Sequence, residues 1–301
     1  MPVGFLNVGN TCYINAALQC LLSLDVLHRL LDGKDLAVGT PEQVFLKEFD
    51  DLRRMTDRDC IISPNRFIHS VNILARAKHN SLFDGRSQND VLEFLAFAMD
   101  CFHTALARKV GNISFEENTA LGKSCTEMLN AHFKDSYSEI IYYFYGIQLT
   151  NIQGSTTTVK PEPFFVVDLP VCGGTLQECI AGYLAAETID WFNEAANKRE
   201  SAQKFTTFWR LPEILIFSLK RFQGGRKEAK FVAIPEILTL PCGTGEKKYA
   251  LKAVANHSGG VHSGHCTAHV KLNQWFLFDD EVVVANAEFQ KNAYGLVYVV
   301  S

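Results

Sequence analysis

No two of the nine cysteines are separated by just two residues, so the spacing typical of a thiolate zinc site is missing. Their number is odd and they are scattered, which argues against a disulfide framework and fits a reducing compartment. No stretch approaches the ~18 consecutive apolar residues of a membrane helix, so membrane insertion is not expected. The chain also lacks a charged leader followed by an apolar core, as a secretory signal would have. Runs of Lys and Arg are absent too, and a formal net charge of −4 argues against a nucleic-acid partner. There is no internal repeat and no low-complexity linker. What is present is a chain of 301 residues, 47% hydrophobic, long enough for one large core shared among subdomains. The expectation is an intracellular protein, cytoplasmic or nuclear or both, without a cofactor.

The most informative stretch is the first. Gly4-Phe5-Leu6-Asn7-Val8-Gly9-Asn10-Thr11 reads as loop. From Cys12 onward, Ile14, Ala17, Leu18, Leu21 and Leu22 recur at helical spacing. Asn10 or Thr11 is a suitable N-cap, which puts Cys12 in the first turn of a helix whose other face is buried. Unpaired backbone N–H groups and the helix dipole there favour an anion, so a thiolate is stabilised. Asn7, five residues upstream, can aim its amide at the oxygen that turns negative when a thiolate attacks a carbonyl. The plainer alternative is that Cys12 is a small buried hydrophobe, as most free cysteines are.

Thr40-Pro41-Glu42-Gln43 is a helix start, followed by a stripe of Phe45, Phe49 and Leu52. Ser63-Pro64 opens another helix, with Phe67, Val71 and Leu74 inward. Ser87 stands as the cap of a third, with Val91, Leu95, Ala98 and Phe102 inward. The first 110 residues or so are therefore a helical lobe. From about Ile140 the period changes, and Ile141–Tyr145, 164–169, 204–209, 214–222, 249–255, 266–272, 275–279 and 294–300 read as strands. Gln153 to Lys160 reads as a polar tip between strands, and Thr175-Leu176-Gln177-Glu178 opens a short helix ending near Thr188. The fold class is α+β, a helical lobe followed by a mainly antiparallel β lobe, with chemistry at the seam.

A second cluster lies in the β lobe. His257, His262 and His265 share a glycine-rich segment, but no neighbouring Cys or acid completes a convincing metal site. His265, at the start of a strand, is the histidine held rigidly enough to serve a thiol as base. Gly264 before it permits close approach of backbone or of a thin substrate. The next strand, Trp275–Asp279, ends in Asp279 and Asp280, either of which can orient the imidazole. A two-residue hairpin pairing Leu272 with Trp275 would set Asp279 opposite Ala268, roughly 10 Å along the strand from His265. A bulge or wider turn is needed to close that gap. Alternation along the strand would send the two acids to opposite faces. The other possibility is a solvated acidic pair at the end of an edge strand.

Taken together these blocks resemble the ubiquitin-specific proteases, papain-like deubiquitinating cysteine peptidases. Gly4–Asn15 is similar to the family's cysteine box and Ser87–Phe94 to its glutamine-containing box. Leu215–Phe222 is similar to its LKRF strand. Tyr249–Val254, His257-Ser258-Gly259, Gly264-His265 and Trp275 with Phe278-Asp279-Asp280 are similar to its histidine box. The four boxes occur in family order over nearly the whole chain. The resemblance implies a helical thumb (about 1–135), β fingers (136–210) and a β-rich palm (211–301) that also receives nearby segments. It implies Cys12 as nucleophile, His265 as base, Asp279 as its partner and Asn7 as oxyanion donor, with no metal. It also implies that a ubiquitin tail ending in Gly-Gly threads the cleft beside Gln88, Gly264 and Asp280. Asp90 and Glu93, spaced i, i+3, would face the tail's arginines; otherwise they are a helix N-terminal acid and a solvated surface acid. The expected partners are ubiquitin and ubiquitinated proteins, and the expected state is a monomer. Alternatives are a catalytically silent ubiquitin-binding scaffold or a peptidase for another ubiquitin-like modifier. Three departures stand out. The fingers lack Cys-x-x-Cys pairs and must be held by packing alone, Ala16 stands where Ser is common, and Cys266 stands where an aromatic usually follows the histidine.

Overall fold

Both capping boxes expected from the sequence form. Thr40 Oγ1 accepts the Gln43 N–H, while Gln43 Oε1 accepts the N–H groups of Gly39 and Thr40. Thr175 and Glu178 exchange the same bonds. The computed structural model describes residues 2–301 apart from 37, 57–59, 84–86, 111–118, 135, 244, 261–262 and 288–291. Within these, the helical lobe contains α1 (Cys12–Leu22), α2 (Asp25–Leu31), α3 (Pro41–Met55), α4 (Asn65–Ala77) and α5 (Val91–Leu106). Their apolar stripes meet in an aromatic core: Phe45 lies 5.0 Å from Phe67, and Phe49 lies 4.8 Å from Phe102, ring centre to ring centre. Such tilted ring pairs add to the burial that holds three helices together. Among the described residues no single helix is long and apolar enough to cross a membrane.

The lobe continues past residue 110, contrary to expectation. After β1 (Arg108–Lys109) come α6 (Ala120–Phe133), β2 (Ser136–Tyr137) and α7 (Glu139–Phe144). Ile141–Tyr145, expected as a strand, is largely this last helix. Ile140, Ile141 and Phe144 go to the buried side at i, i+1 and i+4, and Glu139 sits in the first turn where the dipole favours it. Aromatic and β-branched content pointed to a strand, but packing decided the outcome.

Two main sheets follow. β3 (Gly146–Gln153), β4 (Thr157–Phe164), β6 (Glu187–Asn193) and β7 (Lys198–Arg210) form a four-stranded sheet in the order β4-β3-β7-β6. β5 (Val166–Pro170) and α8 (Leu176–Leu184) interrupt it in sequence, α8 ending earlier than the expected Thr188. The polar tip is confined to residues 154–156, since Thr157–Lys160 are already strand.

β8 (Ile214–Lys220), the short pair β9 (Phe222–Gln223) and β10 (Arg226–Lys227), β11 (Ile237–Cys242), β12 (Gly245–Gly259), β13 (Gly264–Lys271), β14 (Trp275–Asp279), β15 (Val282–Ala285) and β16 (Ala293–Val300) complete the chain. The large sheet runs β15-β14-β13-β12-β16-β8-β5, with β11 also on β12. Of its pairings only β5 with β8 is parallel. α1 packs on β12, β13 and β14, which brings the start of that helix to the sheet.

The tip of the four-stranded sheet is not held by apolar packing alone. Asn193, buried, donates to Ser155 Oγ (3.0 Å), Thr156 Oγ1 (3.0 Å) and Glu200 Oε1 (2.9 Å). Glu200 Oε1 also accepts the Ser155 N–H at 2.9 Å and its hydroxyl at 2.8 Å. One carboxylate thus ties the β3–β4 turn to the β6–β7 hairpin. The donation from Asn193, then those from Ser155, hold the Glu200 carboxyl at about 2. Its depressed value means that the knot contributes above the ordinary carboxylate range and loosens only as pH falls toward 2. Glu200→Ala is expected to speed amide hydrogen exchange at 154–156 and 193–200 while leaving β12 and β13 unchanged. Uniform exchange rates across the tip would contradict this account, and so would a tip that loosens when a zinc chelator is added to the unmodified protein.

Candidate active site

The segment before α1 is threaded between two partners. Phe5 N donates to the Asp280 carbonyl (2.9 Å), Leu6 N to Ile62 O (2.9 Å), and Gly4 O accepts from Ile62 N (3.1 Å). A Cβ on Gly4 would lie 2.5 Å from the Glu281 carbonyl oxygen, so only glycine lets the strand pass this turn. Thr11 is the N-cap as expected, yet its side chain caps nothing. It donates to Asn7 Oδ1 (3.2 Å) and accepts from Val8 N (3.2 Å), which shapes the loop that leads into α1.

Cys12, the first residue of α1, has its pKa lowered to about 6. The helix start was the expected reason. The largest cause is instead a hydrogen bond from the Cys266 thiol, with the Cys266 backbone N–H and the His265 charge adding to it against burial and Asp280. His265 moves the other way. Burial pulls it down, but the hydrogen bond to Asp279 and the charges of Cys12, Asp279 and Asp280 together leave it above its ordinary value. The lowered Cys12 value favours the thiolate and the raised His265 value favours the protonated ring, so each charge supports the other.

His265 Nε2 meets Asp279 Oδ1 at 2.5 Å, so Nδ1 is the ring nitrogen that Asp279 does not engage. The hairpin supplies the wider turn. Lys271, not Leu272, pairs with Trp275, with Leu272 N closing onto Gln274 O across a three-residue loop. That one-residue change flips the parity. Ala268 faces Phe278, so the same register puts Asp279 opposite Thr267, on the face of β13 that His265 shares.

Asp280 does not point away, as simple alternation would have it. The chain leaves β14 at Asp279, and Asp280 adopts a left-handed backbone (φ 51°) in the turn to β15. Its carboxylate therefore stays on the Asp279 side, and ligand atoms of His265, Asp279 and Asp280 lie within 4.8 Å of one another. Asp280 Oδ2 accepts from Asn7 Nδ2 (2.9 Å) and Oδ1 from Asn15 Nδ2 (2.8 Å). Asn7 Oδ1 accepts from Gly9 N and Thr11 N, so its amide is fixed at both ends with one hydrogen left to point outward. Asn15 is buried, and its Nδ2 also reaches the carbonyls of Phe5 and Leu6 (3.3 Å each). The sequence reading missed this residue, although two amides four residues apart in an otherwise apolar helix, Asn15 and Gln19, were the available signal.

The residues expected around a bound tail divide. Gln88 Oε1 accepts the Gly264 N–H at 3.0 Å, joining the helical lobe to the start of β13. A Cβ on Gly264 would lie 2.2 Å from His257 Nε2, so its near neighbour is that ring. Asp90, not Ser87, is the N-cap of α5, accepting from Leu92 N (2.7 Å) and Glu93 N (3.0 Å) and also from the Tyr294 hydroxyl. It stands at a helix end rather than on a helix face with Glu93, and its carboxylate is occupied. Glu93 is exposed, its pKa raised by burial and by Asp90. A cavity of about 250 Å³ lies between Gln88, Asn89 and Asp90 on one side and Phe222, His257 and Gly264 on the other. Behind it Arg221, buried, donates to the carbonyls of Ala293, Glu228 and Lys230, fixing the loop that carries Lys227 onto the His257 carbonyl. Of the expected histidine cluster, His262 lies outside the described residues. His257 packs against Phe222 and Tyr294 rather than His265.

A sequence model of the ubiquitin carboxyl-terminal hydrolases matches residues 3–298. The chain belongs to that family. The four boxes had pointed to its ubiquitin-specific proteases, and relatives agree. Ubiquitin carboxyl-terminal hydrolase 4 of Saccharomyces cerevisiae is 28% identical over 364 residues, spanning 98% of this chain and 39% of the relative. Ubiquitin carboxyl-terminal hydrolase 8 of the same yeast is 27% identical, spanning 99% and 70%. Drosophila melanogaster Usp2 is 25% identical, spanning 98% and 34%. The chain thus covers about two-fifths of the length of the first of these. A chain in the structure of the SAGA Ubp8/Sgf11/Sus1/Sgf73 DUB module bound to ubiquitin aldehyde superposes with a TM-score of 0.77 at 22% identity, over 99% of this chain and 69% of that one. The fold is the α+β, papain-like fold of these hydrolases.

Two measurements test the site. The rate should rise with pH as Cys12 ionises near 6 and fall again as His265 loses its proton above its ordinary value, giving a bell. Asp279→Ala should pull the alkaline limb down and cut kcat by roughly 10²- to 10⁴-fold. Asp280→Ala should cost about 10²-fold, the scale of one oxyanion donor, with the smaller effect on the limb. A larger loss for Asp280→Ala, or an alkaline limb unmoved by Asp279→Ala, would reverse the two roles.

Proposed function

We propose that this chain is a deubiquitinase, hydrolysing the bond after the C-terminal Gly-Gly of ubiquitin through Cys12, His265 and Asp279. The observation that carries this is the 2.5 Å bond from His265 Nε2 to Asp279, which leaves the other ring nitrogen for a low-pKa Cys12. The Cys12 thiolate attacks the carbonyl carbon, and the oxygen that becomes negative is met by the outward amide hydrogen of Asn7 and the N–H of Cys12 itself. His265 gives its proton to the departing lysine amine, leaving a thioester. Water, its proton taken by His265, then releases ubiquitin and restores the thiolate.

The cavity between Gln88 and His257 is the proposed channel for the tail, with Gln88 and Gly264 along it, and Asp280 is proposed to meet the tail beyond the cavity, beside His265 and Asp279. Glu93 is the proposed partner of a tail arginine, since a nearby cation would favour the carboxylate against the partial burial and the Asp90 charge that raise its pKa. On this reading the helical lobe acts as thumb (about 1–135), the four-stranded sheet as fingers (136–210) and the large sheet as palm (211–301), with β5 contributed from the finger segment. A structural neighbour carries ubiquitin aldehyde, which supports ubiquitin as the partner. The proposed state is a monomer. The cysteines are free thiols, in keeping with a reducing cytoplasm or nucleus.

The test is a set of modifiers, ubiquitin and its relatives ending in Gly-Gly, each carrying a C-terminal electrophile. A covalent adduct with the ubiquitin probe, lost in Cys12→Ala, is the expected result. Adducts only with another modifier would redirect the substrate, and binding without any adduct would mark a silent scaffold. Cys12→Ser should lower turnover by about three orders of magnitude or more while retaining ubiquitin binding.

A further inference from the structure

Cys266 is an unusual neighbour for a nucleophile. It follows His265 in β13, and both its thiol and its backbone N–H hydrogen-bond Cys12. The two side chains are 3% and 4% exposed, and both are reduced. α1 packs directly on β13, so the contact is fixed by two regular elements rather than by a loop. In the proposed hydrolysis Cys266 only supports the Cys12 thiolate and takes no part in bond making.

We propose that Cys12 and Cys266 are a modification site, closing into a reversible disulfide when the protein meets a hydroperoxide. The Cys12 thiolate attacks one peroxide oxygen, the O–O bond breaks, and Cys12 becomes a sulfenic acid while hydroxide or alkoxide leaves. The Cys266 sulfur then attacks the Cys12 sulfur, the S–S bond forms and the S–O bond breaks. The hydroxide that leaves takes the Cys266 proton as water. Two thiols have lost two electrons and the peroxide has gained them. A dithiol reductant reverses the change by exchange.

The order of events follows from the surroundings. Cys266 is kept protonated first by its hydrogen bond to Cys12, then by burial, then by the Cys12 charge. Oxidation of Cys12 to the neutral sulfenic acid removes that charge, so the resolving thiol is released when it is needed. Two other buried thiols of the helical lobe are poor competitors. Burial holds Cys20 up at about 12, and Cys101 is likewise raised. Cys20 lies eight residues along α1, roughly 12 Å up its axis.

The inference rests on Cys12 being the thiolate of the reading above, but its test reads mass and linkage and so does not depend on any ubiquitin substrate. The full chain, reduced and desalted, is treated with a few equivalents of hydrogen peroxide and mapped as peptides without reductant. A Cys12–Cys266 linked peptide, with a loss of about 2 Da that dithiothreitol reverses, is expected. In Cys266→Ala, Cys12 should pass on to the sulfinic acid, about 32 Da heavier, and not return with dithiothreitol. Peptide mapping separates these events from oxidation at the exposed Cys60 and Cys172. Sulfinic Cys12 without the link in the unmodified chain would overturn the proposal, whatever the variant does. Recovery of Cys266→Ala as complete as that of the unmodified chain would overturn it as well.

Discussion

The turn at Asp280 and Glu281 grips the helical lobe in three ways, and the geometry of the site depends on that grip. Its carbonyl holds the Phe5 N–H, and its carboxylate holds Asn7 and Asn15. The carbonyls of Asp280 and Glu281 come so near Gly4 that no larger residue fits. The proposed nucleophile, Cys12, sits on a helix and its proposed base, His265, on a strand, two elements joined by hundreds of residues of chain. Without a direct tie between them, small movements of one lobe on the other would separate reacting groups that must stay within about half an ångström of their positions. The same turn ends the strand that bears Asp279, so one short piece of backbone sets the imidazole and the amide together.

Much of this was legible. The helix starts at Thr40 and Thr175 are local capping patterns whose partners lie three residues away, and both formed as written. Cys12 and His265 were picked out by residue type and position, the family resemblance chose Asp279 over Asp280, and the structure brings His265 and Asp279 together. What was not legible depended on distant packing or on turn geometry. Ile141–Tyr145 has strand composition, but its burial within the helical lobe made it a helix. β6 and the first part of β7 are largely exposed on both faces, so no apolar alternation announced them. The hairpin length at residues 272–274 cannot be read from side chains, yet it decides which face Asp279 occupies. The left-handed residue Asp280 breaks the alternation that seemed to separate the acids. Asp90 illustrates a different limit, because an acid near a helix start serves as cap or as binding group and the sequence alone favours neither.

The four-stranded sheet shows how one structural problem admits more than one solution. A hairpin tip reaching away from the core has little apolar surface to bury and must be fastened by something else. Here Glu200 and Asn193 provide five hydrogen bonds among four side chains and one backbone amide. All of these groups are common residues, which is why nothing in the composition marked them.

The bond between Gln88 and the Gly264 N–H spans the cleft in the unliganded protein. A peptide strand that enters there must take over one of those two groups, giving a hydrogen bond and breaking one. Such an exchange is close to neutral in free energy. If the proposed tail runs here, this crossing would therefore contribute little to how tightly it is held and would act mainly as a sieve, admitting what is thin enough. Holding strength has to come from surface well away from the bond being cut. A short peptide copying only the tail would then be a poor ligand even though it fits.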